Sequence, residues 1–211
     1  MMEIKKYITK INFNTVPNRK IEWIVIHYTA NNGDTAWGNC NYFHDKDRQA
    51  SAHYFVDENS IWQCVEDKDV AWHCGTPNPL NGCRNTTSIG IEMCSRKDEN
   101  GVYYFKEETV QNAIELTKEL MEKYNIDINH VCRHFDVSGK RCPEPYVRDE
   151  EAWQDFKRRL EEEPLPKERT LEENMAIVQE RCGYDDNTMM WLSRYIYRDS
   201  LFKKWTESYD K

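Results

Sequence analysis

Short apolar runs alternate along this chain with stretches of helical periodicity, and this alternation constrains the fold more than any other feature. Runs typical of strands occupy residues 23–29, 52–56, 61–65 and 88–94. Helical patterns occupy residues 35–47, 107–124 and 149–163. Interleaved strands and helices favour an α/β fold, with a mixed central β-sheet that is flanked by helices.

The C-terminal part of the chain differs in character from the rest. An acidic run followed by two prolines, between Glu161 and Lys167, is typical of a linker. Beyond it, Thr170 and Glu173 fit a capping box, and helical patterns continue. We therefore expect a large unit over residues 1–163, a linker over 164–169 and a small all-α unit over 170–211. A unit this small is marginal alone, so it should dock on the large unit, form a homo-oligomer or bind a partner.

Charge and composition exclude several classes of protein. The net charge is −8 and no basic stripe is present, which argues against a nucleic-acid partner. The first residues form no apolar run of signal-peptide length, and no stretch has the roughly 18 apolar residues of a membrane span. We therefore expect synthesis in the cytoplasm, with the eight cysteines reduced. A disulfide between Cys74 and Cys83, which flank a Pro/Asn/Gly loop, is an alternative that stays open.

Two histidines and one cysteine are candidate metal ligands. His27 lies near the end of the first strand-like run, and His134 and Cys142 share one short segment. Two imidazoles and one thiolate fit a catalytic zinc site that keeps one coordination position open. However, the chain has no H-E-x-x-H motif, and the step from His134 to Cys142 matches no generic zinc-finger spacing. From the residues alone, a packed strand-end histidine and a buried thiol are the more ordinary interpretation.

Five sequence blocks, in this order, resemble the type-2 N-acetylmuramoyl-L-alanine amidases and the related peptidoglycan-recognition proteins. The blocks are Ile24–Ala30, Ser51–Asp57, Ala71–Gly75, Asn85–Glu92 and His134–Pro143. Single matches of this kind are common by chance, whereas five in order are specific. The resemblance implies that His27, His134 and Cys142 bind a zinc ion (Zn²⁺).

The resemblance also implies a catalytic carboxylate. Glu92 matches the glutamate that activates water in related amidases. Strand alternation separately places Ile89 and Ile91 on one face of the sheet and Gly90 and Glu92 on the other. Because a carboxylate in an otherwise apolar strand is costly without a partner, we expect Glu92 to face a groove.

Further residues receive roles with open alternatives. Lys140 lies two positions before Cys142, so its ammonium is expected near the metal, where it would stabilise an oxyanion. A solvated lysine is the alternative. The expected substrate-binding residues are His53, His73 and Asn85, and a packed strand histidine is the alternative for His53. Asp136 would either accept a hydrogen bond from a ligand imidazole or cap its loop.

The resemblance implies a zinc hydrolase that cuts the amide between N-acetylmuramic acid and L-alanine in bacterial peptidoglycan or its muropeptides. Residues 1–163 would be the catalytic domain. The whole pattern resembles a phage or prophage endolysin, which would reach the cell wall after holin-dependent release or lysis. A cytosolic amidase that recycles anhydro-muropeptides and a non-catalytic peptidoglycan-binding module are the alternatives.

The C-terminal unit would then bind the wall or self-associate. Its aromatic residues could stack on sugars or form its own core, and a core is the favoured interpretation; they are Trp191, Tyr195, Tyr197, Phe202 and Trp205.

Overall fold

A computed structural model of the chain describes residues 2–75, 79, 81–162, 170–194 and 198–209. The contacts divide the chain into two compact units, Met1–Glu162 and Glu163–Lys211. The predicted linker over residues 164–169 lies outside the described residues.

A central β-sheet organises the first unit. Its strands are β1 (Ile4–Lys6), β3 (Trp23–Tyr28), β4 (Tyr54–Val56), β5 (Ile61–Gln63), β7 (Ser88–Met93) and β10 (Val131–Arg133). They lie in the order β1-β5-β4-β7-β3-β10. The β4–β5 pair is antiparallel, as expected of a hairpin, and the other neighbouring pairs are parallel. Two small ribbons pair β2 (Phe13–Thr15) with β6 (Asp69–Ala71) and β8 (Arg96–Lys97) with β9 (Tyr103–Tyr104).

Helices surround this sheet, so the predicted α/β fold with a mixed central sheet is confirmed. In the first unit they are α1 (Ala36–His44), α2 (Glu107–Tyr124), α3 (His134–Ser138), α4 (Glu144–Arg148) and α5 (Glu150–Glu161). The bounds of α2 agree with the predicted helix, while α1 is shorter and begins after Thr35, whose hydroxyl accepts the Gly38 N–H. The sequence did not predict α3 and α4, because five residues are too few for a periodic pattern.

Alternation along β3 and β7 decides which face of the sheet carries the polar residues. One face packs against α2 and α5 through a buried core that includes Ile24, Ile26, Ile89, Ile91, Leu116 and Phe156. The intervening residues of the same strands point to the opposite face. His27 and Glu92 are among them, and they are register partners in the β3–β7 ladder. The packing of the apolar face therefore leaves both polar side chains together on the other face.

Three helices form the described part of the second unit: α6 (Leu171–Cys182), α7 (Asp186–Ser193) and α8 (Arg198–Glu207). The capping box predicted at Thr170 and Glu173 is present. Phe202 is fully buried in a small core, Trp205 packs against that core, and Trp191 is 71% exposed. Tyr195 and Tyr197 lie outside the described residues. Within the described ranges of the chain, no helix is both long and apolar enough to cross a bilayer.

Candidate active site

The candidate site lies at the edge of the sheet where the parallel strands β3, β7 and β10 end. His27 is the next-to-last residue of β3, Glu92 occupies the matching place in β7, and His134 directly follows β10. Because parallel strands end at the same edge, residues distant in sequence meet there. The backbone carbonyl of Cys142 accepts a hydrogen bond from Phe135 (2.8 Å), which brings Cys142 back to this edge.

His27, His134 and Cys142 form a compact buried cluster. The nitrogen or sulfur atoms that they offer as ligands lie within 4.8 Å of one another. The Nδ1 atom of His27 is 3.7 Å from the Sγ atom of Cys142, and the two imidazole rings meet edge-on with centroids 4.7 Å apart. The structure therefore brings together the three residues that the sequence predicts as ligands.

The unpaired atoms of this cluster fit a metal ion. The Nδ1 atom of His134 is buried and, among the residues that the structure describes, has no hydrogen-bond partner. A buried ring nitrogen without a partner is costly, and a cation that takes its lone pair removes that cost. Two imidazole nitrogens and one sulfur form a donor set that suits Zn²⁺.

Burial sets the protonation of the three side chains. Desolvation lowers the pKa of His27 well below its usual value, and nearby His73 and His134 lower it further. Desolvation, together with the charge of Lys140, lowers the pKa of His134 to about 4. Both imidazoles are thus neutral at neutral pH, with lone pairs for a metal. Burial raises the pKa of the Cys142 thiol to about 12, so this thiol must release a proton when a cation binds.

Glu92 lies beside the cluster with little compensation for its burial. Its Oε1 atom is 3.9 Å from the Nδ1 atom of His27, and its side chain is 21% exposed. Its Oε2 atom is buried and has no hydrogen-bond partner within the described part of the chain. Desolvation raises the pKa of Glu92 to about 8, although the charge of Lys140 acts in the opposite direction. A carboxyl group of this kind is suited to proton transfer in the groove.

A groove of about 740 Å³ runs over the cluster. At the cluster end it is lined by His27, His73, Glu92, Lys140 and Cys142. Elsewhere it is lined by Asn31 and Asp34, which precede α1, and by Asn39 and Tyr42 of α1. This volume is in the range of small-molecule and peptide sites. Lys140 is exposed and lines the cluster end of the groove, and its charge lowers the pKa of His27, His134 and Cys142.

His53, in contrast, is fully buried and does not belong to the groove lining. Its Nδ1 atom accepts the backbone N–H of Gly90 (3.0 Å), and its Nε2 atom lies 3.2 Å from the carbonyl oxygen of Asp69. Both ring nitrogens are therefore engaged with the backbone. This geometry favours the packed-histidine alternative over the predicted contact with substrate, because no ring atom is free to reach the groove.

His73 and Asn85 form one local assembly. His73 lines the groove, but its Nδ1 atom also lies 3.0 Å from the Nε2 atom of His27. Asn85 is not in the groove lining. Its Oδ1 atom accepts the backbone N–H groups of His73 (3.2 Å) and Cys74 (2.8 Å), so it holds the segment that carries His73.

The structure also gives positions for Asp136 and for the Cys74 and Cys83 pair. Asp136 accepts the backbone N–H of Arg133 (2.8 Å) and also binds its guanidinium, as a loop cap does. Cys74 and Cys83 are free thiols within one buried apolar cluster.

Two residues near the site were not predicted from the sequence. The Arg19 guanidinium donates to the backbone carbonyls of Asp67, Asp69 and Ser88, which ties the start of β6 to the start of β7. A lone loop arginine belongs to no motif. The Ser88 hydroxyl lies 3.1 Å from the Nε2 atom of His73. Strand alternation gives Ser88 the same face as Glu92, so this residue could have been found from the sequence.

Comparisons with known proteins agree with this geometry. The profile of a family described as N-acetylmuramoyl-L-alanine amidase matches residues 17–145. A probable N-acetylmuramoyl-L-alanine amidase of Bacillus licheniformis is 36% identical over 174 residues, which cover 76% of this chain and 48% of that protein. This chain thus spans about half the length of the curated relatives that it matches.

Solved structures share the fold. The structure of PlyL matches with a TM-score of 0.63 and 28% identity, and the match covers 78% of this chain and all of PlyL (100%). A mutant endolysin from Bacillus subtilis matches with a TM-score of 0.62 and 32% identity, over 76% of this chain and 99% of that one. Since the family profile covers more than half of the residues and includes the site, this chain belongs to the N-acetylmuramoyl-L-alanine amidase family.

Proposed function

We propose that this chain is a zinc-dependent amidase that cleaves the amide between the lactyl group of N-acetylmuramic acid and L-alanine in peptidoglycan. The observation that carries the proposal is the buried cluster of His27, His134 and Cys142 beside Glu92, in which His134 Nδ1 and Glu92 Oε2 have no hydrogen-bond partner among the described residues. Family membership supports the substrate class.

His27, His134 and Cys142 are the residues that would hold the metal. Bound zinc supplies a Lewis acid that polarises a carbonyl, acidifies water and favours the ionised form of a neighbouring carboxyl group. Two neutral imidazoles and one thiol are ready for this role once the thiol has released its proton.

Glu92 is the proposed general base and acid. It removes a proton from the attacking water while the water oxygen bonds to the scissile carbonyl carbon. It then returns this proton to the amide nitrogen as the carbon–nitrogen bond breaks. The products are a muramic acid carboxylate and a stem peptide with a free L-alanine amino group. The Lys140 ammonium, which is exposed at the groove, balances the charge that develops on the carbonyl oxygen.

The groove along α1 is the proposed binding site for the stem peptide and the muramyl group. Asn31, Asn39 and Tyr42 offer amide and hydroxyl groups to a substrate that is itself rich in amides and hydroxyls. We assign His73 to the border of this groove, with Asn85 holding its segment. His53 supports the sheet below it.

The proposed biological role is that of a phage-type endolysin acting on the intact wall, reached by holin-dependent release or by lysis. The likeness to a solved endolysin at comparable length supports this role. A recycling amidase would instead prefer soluble anhydro-muropeptides.

Product analysis tests both levels of the proposal. The zinc-loaded protein is incubated with purified sacculi and, separately, with a soluble anhydro-muropeptide, and the products are identified by mass spectrometry. We expect free stem peptides with L-alanine amino termini, released faster from sacculi. Faster cleavage of the soluble fragment would support the recycling alternative. If the protein retains no zinc after loading, binds walls and releases no products, it is a non-catalytic binding module.

We propose separately that the unit over residues 170–211 binds the wall or joins chains into a homo-oligomer. The exposed indole of Trp191 supports an interaction role. A truncated protein that ends before Pro164 should bind sacculi less well than the full chain, or sediment as a smaller species. If the two proteins bind and sediment alike, the unit has neither role.

A further inference from the structure

A chain of hydrogen bonds leads from His27, in the cluster of His27, His134 and Cys142, through His73. The Nε2 atom of His27 lies 3.0 Å from the Nδ1 atom of His73, and the Nε2 atom of His73 lies 3.1 Å from the Ser88 hydroxyl. The Ser88 hydroxyl in turn donates to the carbonyl oxygen of Arg84 at 2.6 Å. Each link has normal hydrogen-bond length, so the four groups form one connected path.

The direction of this path follows from the number of protons available. Ser88 has one hydroxyl proton, and it donates this proton in the hydrogen bond to the carbonyl oxygen of Arg84. The Ser88 oxygen must therefore accept the proton on Nε2 of His73, which leaves a lone pair on Nδ1 of that ring. This lone pair accepts the proton on Nε2 of His27. As a result, the Nδ1 atom of His27 carries no proton, and this is the atom that faces Cys142 at 3.7 Å.

The surroundings of His73 hold its ring in the required place. Asn85 binds the backbone N–H groups of His73 and of the next residue. Across the ring, a Cβ atom at Gly90 would lie 2.6 Å from Cγ of His73, a distance that real contacts essentially never show. The ring can stand against β7 only because residue 90 has no side chain.

We propose that His73 is a positioning residue for the metal ligand His27, which it fixes in the tautomer and ring orientation that present Nδ1 to the metal. Ser88 completes this arrangement by fixing the tautomer of His73. This inference rests on the proposed function, and it gives His73 a role other than direct contact with substrate. Groups that orient a ligand histidine in this manner typically contribute about 10- to 100-fold to metal affinity.

The test compares two substitutions at the same position. His73→Leu removes the acceptor for His27, whereas the Oδ1 atom of His73→Asn stands close to the place of Nδ1 and can still accept. Zinc affinity is measured by competition with a chromophoric chelator. We expect a loss of about 10- to 100-fold for His73→Leu and substantial recovery for His73→Asn. His44→Leu is the matched control, because it removes an imidazole that stacks on Tyr7 outside the site.

A second readout follows the tautomer itself. In long-range ¹H–¹⁵N spectra of the zinc-free protein, His27 should carry its proton on Nε2 in the wild type and in His73→Asn. A mixture of tautomers is expected in His73→Leu. Ser88→Ala, which leaves His73 in place, should shift the tautomer of His73 and lower zinc affinity by a smaller factor, and it tests the path even if His73→Leu does not fold.

Three results would overturn the inference. Wild-type zinc affinity in His73→Leu, with an altered KM, would make His73 a substrate contact. Equal losses in His73→Leu and His73→Asn would reduce its role to packing. A wild-type protein that binds no zinc would overturn the proposed function as well, whereas the first two results leave that function standing.

Discussion

Two polar regions on adjacent strands of the same sheet differ in whether their polar side chains have hydrogen-bond partners. In the paired region, at both ends of β4, His53 has both ring nitrogens engaged with backbone groups, and Glu58 binds Arg96 and Lys106 at 2.8 Å. The second region, which we call the candidate metal cluster, is His27, His134 and Cys142 together with Glu92. Among the described residues, its His134 Nδ1 and Glu92 Oε2 atoms are buried without partners. The first region can be understood from the fold alone, whereas the unpaired atoms of the second fit the metal site that we propose.

Because of this difference, the pKa values of Glu58 and Glu92 are shifted in opposite directions. Burial by itself would raise the pKa of Glu58, but hydrogen bonds from Lys106 and Arg96 outweigh it and lower the pKa to about 2. Burial raises the pKa of Glu92 to about 8 because no such partners are present in the described structure. Buried groups that lack partners persist where they serve a ligand or a reaction.

The largest expected effect is the loss of zinc and activity in Cys142→Ser. A serine hydroxyl does not ionise at neutral pH, so the cluster would lose its only anionic ligand. Zinc content per chain, measured after gel filtration, should fall from near one to near zero, and release of stem peptides should fall to background.

Cys132→Ser is the matched control, since Cys132 is also buried but belongs to an apolar cluster. It should cost about 1–3 kcal/mol in the free energy of unfolding and keep its zinc. If Cys142→Ser keeps zinc while Cys132→Ser loses it, Cys142 is not a ligand and the proposed metal site is wrong.

The next largest expected effect is on kcat, and it distinguishes Glu92 from Glu58. Glu92→Gln should lower kcat by about a hundred- to ten-thousand-fold, because the amide cannot accept the proton of water, and it should leave zinc bound. Glu58→Gln breaks two ion pairs and should lower stability while leaving kcat unchanged. Steady-state rates and thermal unfolding of both variants distinguish chemistry from folding. Equal kcat values for Glu92→Gln and the wild type would contradict the proposed base.

The sequence predicts the elements of the fold and the residues of the candidate metal cluster by different routes. Periodicity is a local property, so it predicted the strands at 23–29 and 88–94 and the helix at 107–124 with nearly the observed bounds. It missed β1 and β6, because the charged residues Lys5, Lys6 and Asp69 leave no apolar run of strand length there. The cluster residues were recognised from their chemical types and their resemblance to a family.

The details that contacts decide were not predictable. Whether His53 faces the groove depends on the Gly90 and Asp69 backbone groups, which come from other segments of the chain. The contact of His73 with His27 depends in addition on a glycine 17 positions later, which leaves space for the ring. Residue type alone carries no information about such approaches.

A third prediction concerns the stability of the paired region. His53→Ala leaves the buried N–H of Gly90 without its acceptor and opens a cavity, which together should cost about 2–4 kcal/mol in the free energy of unfolding. Denaturant unfolding of the zinc-free protein measures this cost. Zinc affinity of the folded variant should stay near that of the wild type. A large loss of zinc affinity with little loss of stability would mean that His53 supports metal binding, and the difference between the two regions would not hold.

A fourth prediction is a pH dependence of stability in the zinc-free protein, with opposite signs for the two carboxyl groups. Folding raises the pKa of Glu92 from its usual 4.5 to about 8, so the folded state keeps a proton that the unfolded chain has released. The contribution of Glu92 is therefore fully present below about pH 4.5 and is lost as the pH rises to about 8. Glu58, with its pKa lowered to about 2, contributes stability above about pH 4.5 and loses it as the pH falls towards 2.

Urea unfolding across this range, with Glu92→Gln and Glu58→Gln beside the wild type, separates these contributions. The stability of Glu92→Gln relative to the wild type should increase with pH between about 4.5 and 8, because the amide has no proton to lose. The disadvantage of Glu58→Gln should shrink in acid, because the wild-type carboxylate becomes protonated there. If the difference in the free energy of unfolding between Glu92→Gln and the wild type does not change with pH, Glu92 has a hydrogen-bond partner in solution. The polar side chains of both regions would then be paired.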